Sequence, residues 1–193
     1  MDKSLLIMTL CFSATTLFAQ TKLDGGLHTG ISSPVGDLKD KDNMGTNQLF
    51  GAHVGGHLDF LLSPHHQIRG GITYHLMPGS RFSGGPQYKN EFKNLQVGAD
   101  WVYNFTSPHT GGYFLAGASL NNLRVDFDGI PGSGSSNQSG RLGVRVGGGF
   151  NFSPRFSLEG SLNQVSVDKF GRDGFGFDTA SWVQVSAVFR LAR

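Results

Sequence analysis

The chain has 193 residues, room for one ordinary domain or one barrel, with 29 glycines, 16 phenylalanines, 38% hydrophobic and only 16% charged residues. An average soluble protein carries roughly 25% charged residues, and a chain this glycine-rich and poor in helix formers is not a helical bundle. The net charge of +2, spread over singly scattered basic residues, offers no basic stripe or aromatic-basic platform for nucleic acid.

The first residues, MDKSLLIMTLCFSATTLFAQ, predict a signal peptide over residues 1–19 and a single barrel domain over 20–193. Lys3 supplies the charged start, Leu5 to Phe12 an apolar stretch too short for a membrane helix, and Leu17-Phe18-Ala19 the cleavage site. Cys11 is the only cysteine and would leave with this segment, so the mature chain would have no disulfide, thiolate ligand or cysteine nucleophile.

Downstream the chain has a period. Ser63-Pro64-His65, Ser107-Pro108-His109 and Ser153-Pro154-Arg155 recur at nearly constant spacing, alternating with long polar, glycine-rich stretches at 32–48, 77–91, 124–140 and 167–178. Pro34, Pro78, Pro86 and Pro131 all fall in those stretches. Eight strands are predicted between them, at 21–31, 49–62, 66–76, 92–106, 110–123, 141–152, 156–166 and 180–191. Tight turns alternating with long loops are the mark of an up-and-down transmembrane barrel with both termini on the tight-turn side.

The turns predict register. A three-residue Ser153–Arg155 connection opposes Phe152 to Phe156 and Phe150 to Leu158. The same rule opposes Asp59 to Arg69, Phe60 to Ile68 and His53 to His75. At the middle turn it opposes Tyr103 to Tyr113 and Trp101 to Leu115, leaving Asp100 on the other face near Ala116. One face of every strand is then apolar: Leu23, Leu27 and Ile31 on the first, Val183, Val185, Phe189 and Leu191 on the last, with Tyr113 and Leu115 on the fifth. The other face holds Lys22, Asp24, Asp59, Arg69, Asp100, Arg141, Arg145, Glu159 and Arg190, with His28, His53, His57 and His75. The large apolar set would overfill an eight-strand lumen, so it belongs against lipid, where a Lys or Arg would cost roughly 2–4 kcal/mol.

These features, namely the signal peptide, the Ser-Pro turns, glycine-rich strands such as VRVGGGFNF and the closing strand SWVQVSAVFRL, resemble the small eight-stranded outer-membrane barrels of the OmpA/OmpX type. The resemblance covers the whole mature chain. It implies residence in the Gram-negative outer membrane among its lipids and lipopolysaccharide, and insertion by the outer-membrane assembly machinery, which reads aromatic residues at alternate positions of a final strand. Phe189 and Leu191 stand at those positions, although the chain ends on Ala192-Arg193 and not on an aromatic residue.

For function, three classes compete. Asp59, Arg69, Asp100, Arg141, Arg145 and Glu159, with His53 and His75, are expected to form a polar network that plugs the lumen of a monomeric, non-enzymatic barrel acting through its extracellular loops. A narrow channel and a soluble, lipocalin-like carrier are the alternatives. His53, His75 and His28 at one depth would suffice for zinc or copper, but hydrogen-bonding filler is the simpler role, and neither metal nor cofactor is expected. Lipid A chemistry would need a nucleophile, a His and an acid at the outer rim, whereas His65, His66 and His109 lie at the tight-turn end. The loop VDKFGRDGFGFD lacks the regular acidic spacing of a calcium loop.

Overall fold

The computed structural model describes residues 22–39, 50–79, 89–128, 133–168 and 178–191. They form β1 (Lys22–Val35), β2 (Gly51–Leu61), β3 (His66–Pro78), β4 (Lys89–Asn104), β5 (Gly111–Asp128), β6 (Gly134–Ser153), β7 (Phe156–Ser166) and β8 (Thr179–Leu191). Each strand pairs antiparallel with its sequence neighbours, and β1 closes on β8 to complete the barrel. The proposed signal peptide, Ala192-Arg193 and much of the long loops lie outside the described residues.

Alternation builds both surfaces. Leu27, Ile31, Val54, Ile72, Val97, Leu120, Leu142, Val144 and Val185 stand exposed on the outside. At the tight-turn rim they give way to aromatic clusters, His66–Trp101–Tyr103–Phe105 and Phe150–Phe152–Phe156–Phe189, with neighbouring ring centres 5.0–6.0 Å apart. From Phe105 to Leu95, at about 3.3 Å per residue and a tilt of about 40°, β4 rises about 25 Å, the height of the lipid-facing band in such barrels.

The Ser-Pro repeat has a local cause. Proline presets the first turn residue while the preceding serine hydroxyl accepts backbone N–H bonds from the turn. Ser63 Oγ accepts from His65 (3.3 Å) and His66 (3.1 Å), Ser107 Oγ from His109 (3.4 Å), and Ser153 Oγ from Arg155 (3.3 Å) and Phe156 (3.1 Å).

Register follows these turns in one case fully and in two with a correction. Across β2–β3, Asp59 opposes Arg69, Phe60 opposes Ile68 and His53 opposes His75. Across β6–β7, Phe150 opposes Leu158, but an irregularity after Asn151 sets Ser153, not Phe152, opposite Phe156. Across β4–β5 the expectation is wrong by one residue: Tyr103 opposes Phe114, Trp101 opposes Ala116 and Asp100 opposes Gly117. Ser107 and Thr110 bridge within this turn, and Gly111 at φ +86° brings the chain into β5 one step out of phase. A single step inverts every side chain, so Tyr113 and Leu115 are buried inside and Phe114 faces out.

The strands also outrun their predicted ends. β5 continues to Asp128 and β6 starts at Gly134, so most of the 124–140 loop is a hairpin that projects beyond the lipid band. Pro34 and Pro78 lie in the last rungs of β1 and β3, and not in loops. At strand ends a missing N–H is best tolerated.

Candidate functional site

The lumen is filled in three layers. The charged layer lies toward the tight turns. Arg69 donates from Nε to Asp59 Oδ1 (2.7 Å) and from Nη1 to Glu159 Oε2 (2.7 Å), and Arg145 Nη2 donates to Asp100 Oδ2 (2.5 Å) and Glu159 Oε1 (3.4 Å). The Tyr113 hydroxyl donates to Glu159 Oε2 at 2.9 Å, and Arg190 reaches Asn151 Oδ1 at 2.9 Å and Asp59 at 3.6 Å. Three guanidiniums thus face three carboxylates. Such a buried set specifies geometry more than it adds stability, but removing one member strands its partners at a cost of roughly 3–5 kcal/mol.

Above it lies an imidazole layer. Ser32 Oγ sits 3.1 Å from His53 Nδ1 and 3.2 Å from His75 Nδ1, Ser186 Oγ 2.9 Å from His53 Nε2, and Gln96 Oε1 3.2 Å from His75 Nε2. His28 Nε2 meets Thr73 Oγ1 at 3.0 Å. Among the described residues no three metal-ligating side chains converge on one point. Between the layers is a cavity of about 30 Å³ lined by His28, His57, Arg69, Asp100, Arg145 and Glu159 among others, room for about two waters. Among the described residues, both ring nitrogens of His57, a side chain 1% exposed, find no hydrogen-bond partner there.

The third layer is apolar, where the alternation of the strands predicts a polar lumen throughout. Leu38, Met77, Phe92, Leu123, Val125, Val165, Val167, Ala180 and Trp182 pack as one buried cluster across the outer mouth. Gly36, at φ +59°, turns the chain after β1 into a short 3-10 turn, Gly36–Leu38, which swings Leu38 into the opening. Burying this set is worth roughly 1.5–3 kcal/mol for each large side chain.

The candidate residues therefore separate. Asp59, Arg69, Asp100, Arg145 and Glu159 meet in one network, and His53 and His75 belong to the layer above. Arg141 is in neither; it pairs with Asp168 near the mouth, where its side chain is 29% exposed. Tyr113 joined the network unforeseen, because its direction depends on the backbone at Gly111. Gln96 and Ser186 were readable only as inward positions, and Ser32 falls in the predicted 32–48 loop although it is in β1.

At the outer mouth, β3 to β6 project. On their outer face Lys93 Nζ contacts Glu91 (2.7 Å) and Asp126 (2.9 Å), and Arg124 Nε contacts Asp126 (2.6 Å). Hydrogen bonds from Lys93 and Arg124 hold the Asp126 carboxyl below its usual pKa. The last of these strands has an open side. β6 pairs with β5 along the projection, but its ladder to β7 begins only at Gly143. Among the described residues the stretch 134–142 meets a neighbour on that side only through side chains, those of Gln138, whose amide brackets the Asp168 backbone, and Arg141.

An apolar outer wall, an aromatic rim at the tight turns and ion pairs within define a small transmembrane barrel of the Gram-negative outer membrane, which excludes the soluble carrier. The sequence matches the outer membrane protein beta-barrel domain over residues 4–190, and the chain belongs to that family. Among solved structures it is similar in fold to Ail, the attachment invasion locus protein of Yersinia pestis (15% identity, TM-score 0.59, covering 87% of this chain and 98% of that one). It is also similar to the N-terminal β-barrel domain of Pseudomonas aeruginosa OprF (13% identity, TM-score 0.53, 89% and 100%) and to Neisserial surface protein A (15% identity, TM-score 0.53, 87% and 95%). No curated protein matches the sequence.

Proposed function

We propose that this protein is a non-enzymatic surface-interaction barrel, closed to solute flow at neutral pH, whose projecting sheet offers the β6 edge to extended segments of proteins outside the cell. The observation that carries this reading is that, among the described residues, 134–141 have no ladder partner on the side away from β5. A strand edge with free N–H and C=O groups is a template for an added strand, and here residues 134–141 are polar, free of proline and above the lipid-facing Leu142. The closed lumen rests on the charged layer and the apolar cap, which fill it from both ends. Ser32 and Ser186 touch imidazoles, as a nucleophile would, but are 0% and 1% exposed inside that closed lumen, away from any substrate.

The test is binding of the refolded barrel, held in nanodiscs, to a panel of immobilised extracellular-matrix and serum proteins. A variant with residues 125–136 replaced by a short turn is expected to lose binding while keeping its heat-modifiable migration on gels. Equal binding by a folded variant would reject the edge as the docking element.

A further inference from the structure

The four lumenal imidazoles form a ladder. Ring centres are 5.5 Å apart from His75 to His53, 6.1 Å from His53 to His28 and 5.8 Å from His28 to His57, descending from the apolar cap to the charged layer. The three lower rungs each rest on a glycine of the adjoining strand: Gly30 opposes His53, His28 opposes Gly55 and Gly26 opposes His57. GLHTG on β1 and HVGGH on β2 are complementary, with a glycine wherever the other strand carries a ring. A methyl group at Gly26 would stand 2.6 Å from the His57 ring, and one at Gly30 2.9 Å from that of His53. Rings are accommodated in a crowded lumen by removing side chains opposite them.

The hydrogen bonds of the upper rungs suit uncharged rings. If His75 Nε2 donates to Gln96, its Nδ1 accepts from Ser32, which accepts from His53 Nδ1, whose Nε2 accepts from Ser186, which accepts from Gln184. The chain can run only this way, because Gln184 Nε2 only donates and Gln96 Oε1 only accepts, and each ring then carries one proton.

A second proton on these rings would find little to balance it. The titratable and charged groups facing the ladder come from every strand: His28 on β1, His53, His57 and Asp59 on β2, Arg69 and His75 on β3, Asp100 on β4, Tyr113 on β5, Arg145 on β6, Glu159 on β7 and Arg190 on β8. The three carboxylates are already held by three arginines, and the nearest to a ring is Asp59, 3.8 Å from His57 Nε2. At the top, His75 lies edge-on to Trp182 at 5.2 Å, and Trp182 packs on Phe92 at 6.2 Å. The uppermost rung therefore supports the cap.

We propose that the ladder is an acid-operated latch: proton uptake by its imidazoles gives the lumen unbalanced positive charge, draws water beneath the cap and opens a path that favours small anions. This rests on the reading of a lumen closed at neutral pH. Histidine is the side chain whose ordinary titration lies near that range, and like charges about 6 Å apart repel strongly where water is scarce.

The test is single-channel recording of the full barrel in planar bilayers in a potassium chloride gradient, at neutral pH and at about pH 4.5. Silence at neutral pH and anion-preferring steps in acid are expected, with the H28Q/H57Q double variant silent at both and H66Q, altered at the periplasmic rim, behaving as wild type. Silence of the wild type at both pH values, cation preference in acid, or acid steps retained by a folded double variant would each overturn the latch. Conductance already open at neutral pH would instead overturn the closed-lumen reading. Should the double variant not fold, imidazole nitrogen NMR of the wild type replaces it: the four lumenal rings must take up protons over the range in which conductance appears, and titration elsewhere overturns the proposal.

Discussion

Two stretches of the same strands, four residues apart, use alternation in opposite senses. Within the bilayer, β4 presents Leu95 and Val97 outward and Asn94 and Gln96 inward; above it, the same strand presents Glu91 and Lys93 outward and Phe92 inward. β5 makes the same exchange between Leu120 and Asn121 below and Arg124 and Val125 above. The barrel is inverted where its solvent is lipid and returns to the order of a soluble protein once water surrounds it. Which face is apolar is set by the medium and not by the strand, and the point of exchange marks the membrane surface.

The comparison can be broken most severely in the lumen. Glu159→Ala, which strands Arg69 and Arg145, is expected to lower unfolding free energy by roughly 3–5 kcal/mol, read by urea titration in vesicles; a loss below about 1 kcal/mol would mean that water replaces the carboxylate. Trp182→Ala removes the largest side chain of the cap, and a cost of roughly 3–5 kcal/mol is expected on the same assay if this is a packed core. On the outer wall, Val97→Arg is expected to cost roughly 2–4 kcal/mol, whereas Lys93→Leu, one turn of the pleat above the lipid band, should stay within about 1 kcal/mol. Equal effects at these two positions would misplace the bilayer boundary. Gly111→Ala, at a positive φ, is expected to cost roughly 1 kcal/mol, measured as a lowered urea midpoint of a barrel that still shifts on heating.

Much of the wall was readable from residues alone because lipid imposes a simple rule: every outward position in the band must be apolar, so Leu142, Val144 and Val146 declare their direction. Asp59 and Arg69 followed from the spacing of a turn. Above the membrane that rule reverses, and Arg124-Val125-Asp126 then looks like polar loop when it is strand. Tyr113, an aromatic residue near a turn, satisfies the girdle pattern for a lipid-facing position, and the positive φ of Gly111 turns it inward instead. The apolar cap had no local signature, since Phe92, Leu123 and Trp182 are far apart in sequence and meet only through barrel closure.

The glycine and histidine spacing shared by β1 and β2 has a consequence for assembly. If β1 slid by two residues along its partner, rings would meet rings and glycines would meet glycines, leaving clashes at some rungs and holes at others; a slide by one would turn the rings toward lipid. The joint between the first two strands therefore works as a key with one seating, and it fixes the register in which β1 meets β8 to close the circle.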